Sequence, residues 1–245
     1  MNEISKFNKE RAVNIKSMED DVELRKKSID WMLSADKYKY TYNFEWMGRP
    51  IIKYPNDMVV QQELMWKLKP DLIIETGIAH GGSIIFAASM MKMMGIDGEV
   101  VGIDIDIRDH NKELIQEHSM YDMITMYEGD STSRDIVDKV KKHLKGKKVV
   151  MVILDSLHSE EHVLKELNLY SEFVTLGSYC ILPDTFIEFF PKGYYAGTRP
   201  WDVGDNPHTA MKKFLLTTNN FQIDKTLTSQ AMITETIDGY LRKVK

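Results

Sequence analysis

Acidic or small polar residues follow every predicted strand in the central part of the chain. They are Glu75, Asp104 with Asp106, Asp130 with Ser131, Asp155 with Ser156, and Asp184. Because the carboxyl ends of parallel strands meet at one edge of a doubly wound sheet, ligands bind beyond those ends. Any one of these residues is also explained as a cap of the next helix, since Asp and Ser are common caps. Five strand ends of this character together predict a ligand site.

Residues 71–83, read as DLIIETGIAHGGS, join a short apolar strand to a glycine-rich turn that opens a helix. Glycine lets a ligand approach the backbone, and a helix start offers unpaired N–H groups. The glycine spacing is G-x-x-x-G-G, whereas dinucleotide-binding turns favour G-x-G-x-x-G around a pyrophosphate. Glu75 would repel a pyrophosphate but suits the cationic amino-acid tail of S-adenosylmethionine (SAM). Asp104 is placed to accept hydrogen bonds from ribose hydroxyls, which NAD and SAM share. The glycine spacing and Glu75 therefore decide between the two, and they predict a SAM site.

Strands and helices alternate with short connections from residue 70 onward, which predicts an α/β fold with a mostly parallel sheet. The predicted strands are 71–75, 99–104, 124–128, 149–154 and 178–182, with two late strands around 221–224 and 231–234. The predicted helices are 58–68, which Asp57 would cap, and 83–94, 111–117, 133–143, 160–174 and 207–218. Helices on both faces of the sheet are therefore expected.

The composition limits the kinds of partner that this protein is expected to bind. The 245 residues carry a net charge of −5, so no global field attracts nucleic acid or an anionic membrane. The longest apolar runs, such as residues 149–154, are too short to cross a bilayer. The first residues lack the charged-then-apolar pattern of a signal peptide. We therefore expect a cytoplasmic protein with a small-molecule substrate, without a nucleic-acid partner or a membrane span.

Several motifs together resemble one family of enzymes. E-T-G-I-A-H-G-G-S, G-I-D-I-D-I-R, G-D-S and L-D-S-L-H-S are similar to motifs of class I SAM-dependent methyltransferases. With G-R-P-I-I-K-Y-P-N-D and I-L-P-D-T, the resemblance narrows to the cephalosporin hydroxylase/rhamnosyl O-methyltransferase family, from about Trp46 to the C-terminus. It implies a Rossmann-like, seven-stranded sheet whose last strand is antiparallel. It also implies O-methylation of a sugar hydroxyl, on a sugar nucleotide for surface polysaccharide or on a related natural product.

The chain divides into two predicted parts. Residues 1–50 are expected to form an N-terminal helical extension and flap, and residues 51–245 the SAM-dependent methyltransferase domain. The first 45 residues are rich in charge, with apolar residues at loosely helical spacing. This pattern indicates helices that pack on the domain or on a partner subunit, so a homo-oligomer is expected.

The resemblance assigns roles by position to the residues around the glycine turn and the strand ends. The residues implied at the cofactor are Glu75, Gly77, His80, Gly81 and Ser83 at the methionine end, Asp104 at the ribose, and Asp130 with Ser131 beside the adenine. Asp155 would lie beside the reacting methyl group.

The resemblance also raises the question of a metal ion. Relatives, and the similar catechol O-methyltransferases, bind a divalent cation with an Asp after the fourth strand and an acidic pair after the fifth. Asp155 and Asp184 fill two of these three places, but Pro183 occupies the third. Because a hard cation takes six oxygens and accepts water among them, two carboxylates suffice for a weak site. The sequence leaves two alternatives open: Asp155 and Asp184 hold Mg²⁺, or the enzyme works without a metal ion.

His158 is the predicted catalytic base. It follows Asp155 by three residues, where catechol-type enzymes place a catalytic lysine. Methylation of an alcohol removes the hydroxyl proton as the oxygen attacks, and imidazole, with an ordinary pKa near ~6.5, suits that step. A histidine here also suits a cap of the helix beginning at 159 or 160. We predict that Asp155 orients the acceptor while His158 takes its proton, with His208 in N-P-H as a second candidate base.

The segment 184–206 carries six aromatic residues and no predicted strand or helix. Loops of this length in compact domains are usually lids or binding loops. Its aromatic side chains suit stacking on a sugar ring, and equally packing at a subunit interface. Lys192 and Arg199 suit the phosphate of a nucleotide-linked sugar. A lid and an interface both stay open.

Two other functional classes are considered. An NAD-dependent oxidoreductase would need the dinucleotide glycine pattern, which the chain lacks. An iron oxygenase would need two histidines and a carboxylate, and His158 with Glu160 has no matching distal histidine. A non-catalytic SAM-binding homologue, which keeps the fold without the chemistry, is the third hypothesis because of Pro183.

Overall fold

The predicted parallel sheet is present in the computed structural model, which describes residues 2–245. The strands in these residues are β1 (Phe44–Trp46), β2 (Arg49–Ile51), β3 (Leu72–Thr76), β4 (Glu99–Asp104), β5 (Ile124–Glu128), β6 (Val150–Leu154), β7 (Tyr179–Ile181), β8 (Phe221–Ile223) and β9 (Tyr240–Lys243). The α-helices are α1 (Glu3–Asp20), α2 (Val22–Asp36), α3 (Pro55–Leu68), α4 (Gly82–Met93), α5 (Asp109–Gln116), α6 (Arg134–Lys141), α7 (Glu160–Tyr170), α8 (Pro207–Thr217) and α9 (Lys225–Ala231).

The main sheet has seven strands in the order β5-β4-β3-β6-β7-β9-β8. Neighbouring strands from β5 to β7 run parallel, whereas β9 runs antiparallel to β7 and to β8. The last strand is therefore the antiparallel one, and the Rossmann-like fold predicted from the resemblance is confirmed. The strand order reverses between β3 and β6, and such a switch point is where doubly wound sheets bind ligands.

Both faces of the central strands are apolar and covered. Every residue of β3 and β6 is buried. Ile73 and Ile153 pack with α4 on one face, while Ile74 and Val152 pack with α7 on the other. A parallel sheet buried on both faces explains why these strands are nearly continuous apolar runs. Because a shift of one residue would exchange the two faces, this packing fixes the register in which the strand ends meet.

The late strand predicted at 231–234 is wrong, because Lys225–Ala231 form α9 and the last strand is Tyr240–Lys243. The backbone after α9 is held instead by Asp57, whose Oδ2 accepts the Glu235 N–H at 2.9 Å. Asp57 does not cap α3 as predicted, since the helix begins at Pro55 and the Asp57 side chain is buried. A contact between residues so distant in sequence leaves no local pattern.

The N-terminal segment packs on the segment that follows β7. Met32 of α2 is fully buried in a cluster with Tyr54, Phe186 and Phe190. The predicted irregular loop begins with a short 3₁₀ helix, Thr185–Phe189, inside this cluster. The proposed division at residue 50 stays a prediction. Among residues 2–245 no helix has both the length and the apolar character that a membrane span requires.

Candidate active site

A cleft of about 1190 Å³ opens at the carboxyl ends of the parallel strands, beside the switch point between β3 and β6. The predicted site residues that line it are Gly77, His80, Ser83, Asp104, Asp130, Ser131, Asp155, His158 and Asp184. Glu75, Gly81 and His208 are not among the lining residues. Because pockets for one drug-sized ligand are ~300–1,000 Å³, the cleft has room for a cofactor and an acceptor together.

The glycine turn brings β3 and β6 into backbone contact. Gly77 has a φ of +90°, and a Cβ there would lie 1.9 Å from the carbonyl oxygen of Asp155. Gly82 opens α4, where a Cβ would lie 2.2 Å from the carbonyl oxygen of Pro50. Only glycine fits such approaches. The turn is thus a cradle lined by backbone, at which a ligand meets the unpaired N–H groups of α4.

Asp104 holds the glycine turn from the neighbouring strand. Its Oδ2 accepts the backbone N–H groups of Ile78 at 2.8 Å and Ala79 at 3.0 Å. Its Oδ1 accepts the N–H of Asp106 at 3.2 Å. The carboxylate therefore shapes the turn besides lining the cleft, and its contact with a ribose stays a prediction.

The ends of β5 and β6 are tied together by a residue that sequence reasoning missed. The hydroxyl groups of Ser131 and Ser156 both donate to Oε1 of Glu166, at 2.6 and 2.8 Å. Glu166 is fully buried on α7 and gives no sequence signal beyond its position on a helix. Beside it, Oδ1 of Asp130 accepts the Thr132 N–H at 2.8 Å, and that bond lowers the pKa of Asp130.

Glu75 is a buried carboxylate at the end of β3. Within residues 2–245 neither of its oxygens has a hydrogen-bond partner, and its exposed fraction is 0%. Burial raises the pKa of Glu75 to about 7, against the opposing effect of the Lys53 ammonium. An unpartnered buried carboxylate is costly, and a cation bound beside it would lower that cost.

Lys53 is the second residue that the sequence did not single out. Its Nζ lies 2.9 Å from Glu235 Oε1 and 3.2 Å from Asp155 Oδ2, with the side chain almost completely buried. Burial alone would lower its pKa, but the Glu235 and Asp155 carboxylates hold the pKa of Lys53 well above its usual value. This ammonium therefore joins the β6 end to the turn after α9.

Asp155, His158 and Asp184 converge in the same cleft, beside the glycine turn. Each offers a ligand atom within 4.8 Å of the others, a donor set that fits a divalent cation. Nε2 of His158 lies 3.1 Å from Oδ2 of Asp184. The His158 ring also packs edge-on against Trp201, with 4.7 Å between ring centres. The burial of Asp184 raises its pKa, and His158 opposes that rise.

The two other predicted histidines have different surroundings. His80 lines the cleft, and its carbonyl accepts two hydrogen bonds from Arg49, at 2.9 and 2.6 Å. His208 packs edge-on against Phe189, with 5.2 Å between ring centres, and burial lowers its pKa. The structure therefore brings His158, but not His208, to Asp155.

The N-terminal extension contributes more than packing. Lys37 and Lys39, which follow α2, line the cleft together with Arg199. The Tyr194 hydroxyl donates to Oδ2 of Asp36 at 2.8 Å, which links the extension to the segment after β7. The sequence indicated a basic role for Arg199 in the segment after β7, but it did not indicate Lys37 and Lys39. The charge clusters of residues 1–45 are typical of a solvated face.

The residues around the glycine turn fit SAM. A backbone cradle that a Cβ would fill leads into the cleft, and an unpartnered carboxylate lies at the end of the same strand. The first suits a bulky ligand close to the main chain, and the second suits the ammonium of an amino-acid tail.

Comparison with known proteins identifies one family. The sequence model described as Rhamnosyl O-methyltransferase/CmcI matches residues 38–244. The rhamnosyl O-methyltransferase of Mycobacterium leprae (strain TN) is 30% identical over 196 residues, which is 74% of this chain and 82% of that relative. A rhamnosyl O-methyltransferase of Mycobacterium tuberculosis is 30% identical over 180 residues, or 70% and 71% of the two chains.

Solved structures share the fold. A structure of CmcI with Mg and SAM has a TM-score of 0.59 and 23% identity, covering 83% of this chain and 78% of that one. An O-methyltransferase from Bacillus cereus in complex with SAH has a TM-score of 0.50 and 13% identity, covering 80% and 81%. Both likenesses extend over most of the two chains compared.

Proposed function

The chain belongs to the rhamnosyl O-methyltransferase/CmcI family, and on that premise we propose that it methylates a hydroxyl group of a sugar. It is a SAM-dependent O-methyltransferase, as predicted. The observation that carries the sugar acceptor is the 30% identity to rhamnosyl O-methyltransferases over most of both chains. A nucleotide-linked sugar for surface polysaccharide, or a related natural product, is the finer form of the proposal.

The proposed cofactor seat lies at the glycine turn. SAM supplies an electrophilic methyl group on a sulfonium, so positioning of the acceptor is a large part of catalysis. We assign the amino-acid tail to the end of β3, where Glu75, Gly77 and Ser83 lie with His80 and Gly81 nearby. The ribose is assigned to Asp104. The adenine is assigned to Asp130 and Ser131, and the Glu166 contact with Ser131 supports a fixed wall there.

The proposed acceptor site lies at the convergence of Asp155, His158 and Asp184. Asp155 is held by Lys53 at 3.2 Å and is assigned to orient the acceptor hydroxyl. In the ion-free site, Nε2 of His158 is assigned to take the hydroxyl proton as the oxygen attacks. Trp201 packs on His158 and shields that side of the ring from water. His208, which lies away from these residues, has no role in the proposal.

A divalent cation is compatible with this site. Asp155 and Asp184 would hold it, and it would stabilise negative charge on the acceptor oxygen. Pro183 offers no side-chain ligand where the family pattern has an acid, and Mg²⁺ accepts water in such a position. The two carboxylates therefore fit the ion, whose presence stays part of the proposal.

The basic residues of the cleft support an acceptor that carries phosphate. Lys39 and Arg199, which are far apart in the sequence, line the same cleft. Their positive charges suit the diphosphate of a sugar nucleotide. Lys192, which the sequence suggested for this role, is not among the lining residues.

Assembly and location stay proposals. Phe7 and Val13 of α1 are 64% and 63% exposed, and such apolar residues support a homo-oligomer formed through the N-terminal helices. We also propose that the protein is cytoplasmic, as expected from the sequence. The molar mass in solution, measured by light scattering, tests the oligomer.

Cofactor affinity is expected to rise with pH through the ionisation of Glu75. With a pKa of about 7, Glu75 is mostly protonated in the free protein at lower pH. The ligand's ammonium favours the carboxylate, so S-adenosylhomocysteine should bind about tenfold tighter at pH 8 than at pH 6. Calorimetry should find this rise in the wild type and in Glu128→Gln, whose glutamate ends β5 and is exposed. A rise of equal size in Glu75→Gln would remove the assignment.

Methyl transfer to sugar acceptors tests the proposed function. The protein is incubated with SAM carrying a deuterated methyl group and with rhamnosides, sugar nucleotides, simple phenols and amines, and products are followed by mass spectrometry. We expect label as an ether on a sugar, and a loss of roughly 10²–10³-fold in Asp155→Asn. The matched variant Asp122→Asn, at an exposed position just before β5, should keep the rate. Label on amines or phenols alone would overturn the sugar acceptor, and cofactor binding without transfer would favour a non-catalytic homologue.

A further inference from the structure

The separation of His158 and Asp184 fits two ligands of one ion. Nε2 of His158 and Oδ2 of Asp184 are 3.1 Å apart. Two ligands at right angles on an ion, with bonds of about 2.1 Å, lie about 3 Å apart. Asp155 completes the set, with all three ligand atoms within 4.8 Å of one another.

The two carboxylates also have free coordinating capacity. Lys53 occupies Oδ2 of Asp155, but Oδ1 accepts no hydrogen bond from residues 2–245. The only side-chain partner of Asp184 in the same residues is His158. The carboxylates of Asp155 and Asp184, which lie within 4.8 Å of each other, also repel each other. An ion between them would remove that repulsion and use the free oxygens.

We infer that Asp155, His158 and Asp184 form a divalent-cation site in which the imidazole of His158 takes the place of the acid missing at Pro183. The inference rests on the proposed function only in that the same cluster receives the acceptor. Carboxylates and water suit Mg²⁺, whereas an imidazole ligand favours transition ions. The site therefore prefers Mn²⁺ or a later transition ion to Mg²⁺.

This assignment changes the role of His158 with ion occupancy. A nitrogen lone pair bound to an ion cannot accept a proton, so Nε2 of His158 would be a ligand in the loaded protein and a base only without the ion. In the loaded protein the ion would polarise the acceptor hydroxyl, and its proton would pass to solvent water. Lys53 binds Oδ2 of Asp155, so Oδ1 stays available to the ion. The imidazole thereby makes the path of the acceptor proton depend on whether the ion is bound.

Binding of Mn²⁺ to the complex with S-adenosylhomocysteine tests the inference without any turnover. The electron paramagnetic resonance signal of free Mn²⁺ reports occupancy, and competition by Mg²⁺ reports preference. We expect one Mn²⁺ per chain, bound at least about tenfold tighter than Mg²⁺. His158→Phe keeps a ring against Trp201 and should lose about tenfold or more in Mn²⁺ affinity together with the preference. His110→Asn, an exposed histidine on α5, is the control that should change neither.

A measurement on the unmodified protein guards against misfolded variants. Pulsed resonance of the bound Mn²⁺ should show coupling to a ¹⁴N nucleus, as a directly bound imidazole requires. No Mn²⁺ binding, no nitrogen coupling, or unchanged Mn²⁺ affinity in folded His158→Phe would each overturn the inference. These outcomes are separate from the proposed function, which fails if the protein binds the cofactor product and transfers no methyl group to sugars.

Discussion

Gly77→Ala is expected to abolish measurable binding of S-adenosylhomocysteine and to destabilise the protein by about 2–5 kcal/mol. The new Cβ would lie 1.9 Å from the Asp155 carbonyl oxygen, and the φ of +90° is strained for alanine. Because the obstructing atom is backbone, relief requires the ends of β3 and β6 to separate. That movement would displace both the cofactor cradle and Asp155. Thermal unfolding and calorimetric titration measure the two effects.

Gly146→Ala is the matched control. Gly146 also has a positive φ, +81°, but a Cβ there meets nothing within 4 Å. This variant carries the conformational cost alone, about 1 kcal/mol, and should keep cofactor binding. If Gly77→Ala lost no more stability than Gly146→Ala and bound the ligand normally, the close approach of β3 and β6 would not shape the site.

Lys53→Met is expected to destabilise the protein by about 3–5 kcal/mol and to slow methyl transfer strongly. The substitution leaves the buried Glu235 and the partly buried Asp155 without their shared cation. Asp155 would then move or take up a proton, and the acceptor hydroxyl would lose its orientation. We therefore expect a fall in kcat larger than any change in the KM for SAM. Denaturant unfolding and steady-state kinetics check the prediction.

The double variant Lys53→Met with Glu235→Gln separates charge from packing. Removing one of the two stranded carboxylates should restore part of the stability lost in the single variant, because fewer charges remain unpaired. Lys16→Met is the control, since its ion pairs lie on the exposed surface and contribute little. If Lys53→Met and Lys16→Met were equally stable, the buried ion pairs of Lys53 would not stabilise the protein.

The sequence alone was sufficient to predict that the residues following the strands lie together at one edge of the sheet. The glycine turn and Asp155 could be predicted because strand periodicity, turn chemistry and the parallel sheet all bring carboxyl ends to one edge. His158 was singled out by the resemblance and by its place three residues after Asp155, and it lies beside Asp155 in the structure. The pattern also distinguished a SAM turn from a dinucleotide turn through Glu75 and the glycine spacing.

The sequence was not sufficient for the groups that hold these residues. Lys53 and Glu235 are 182 positions apart, and only the finished fold buries them together. Glu166 looks like any polar residue of a helix until its burial is known. The final strand was misplaced because Asp57 fixes the backbone after α9 through a long-range contact. Such contacts depend on tertiary packing, which local propensity does not encode.

Calorimetric titration with S-adenosylhomocysteine in the presence of EDTA tests the central claim most directly, namely that one cleft has a cofactor end at the glycine turn and an acceptor end at Asp184. The account predicts one site per chain without metal, kept in Asp184→Asn and lost in Gly77→Ala. Absence of binding in the wild type, or loss in Asp184→Asn with retention in Gly77→Ala, would contradict it.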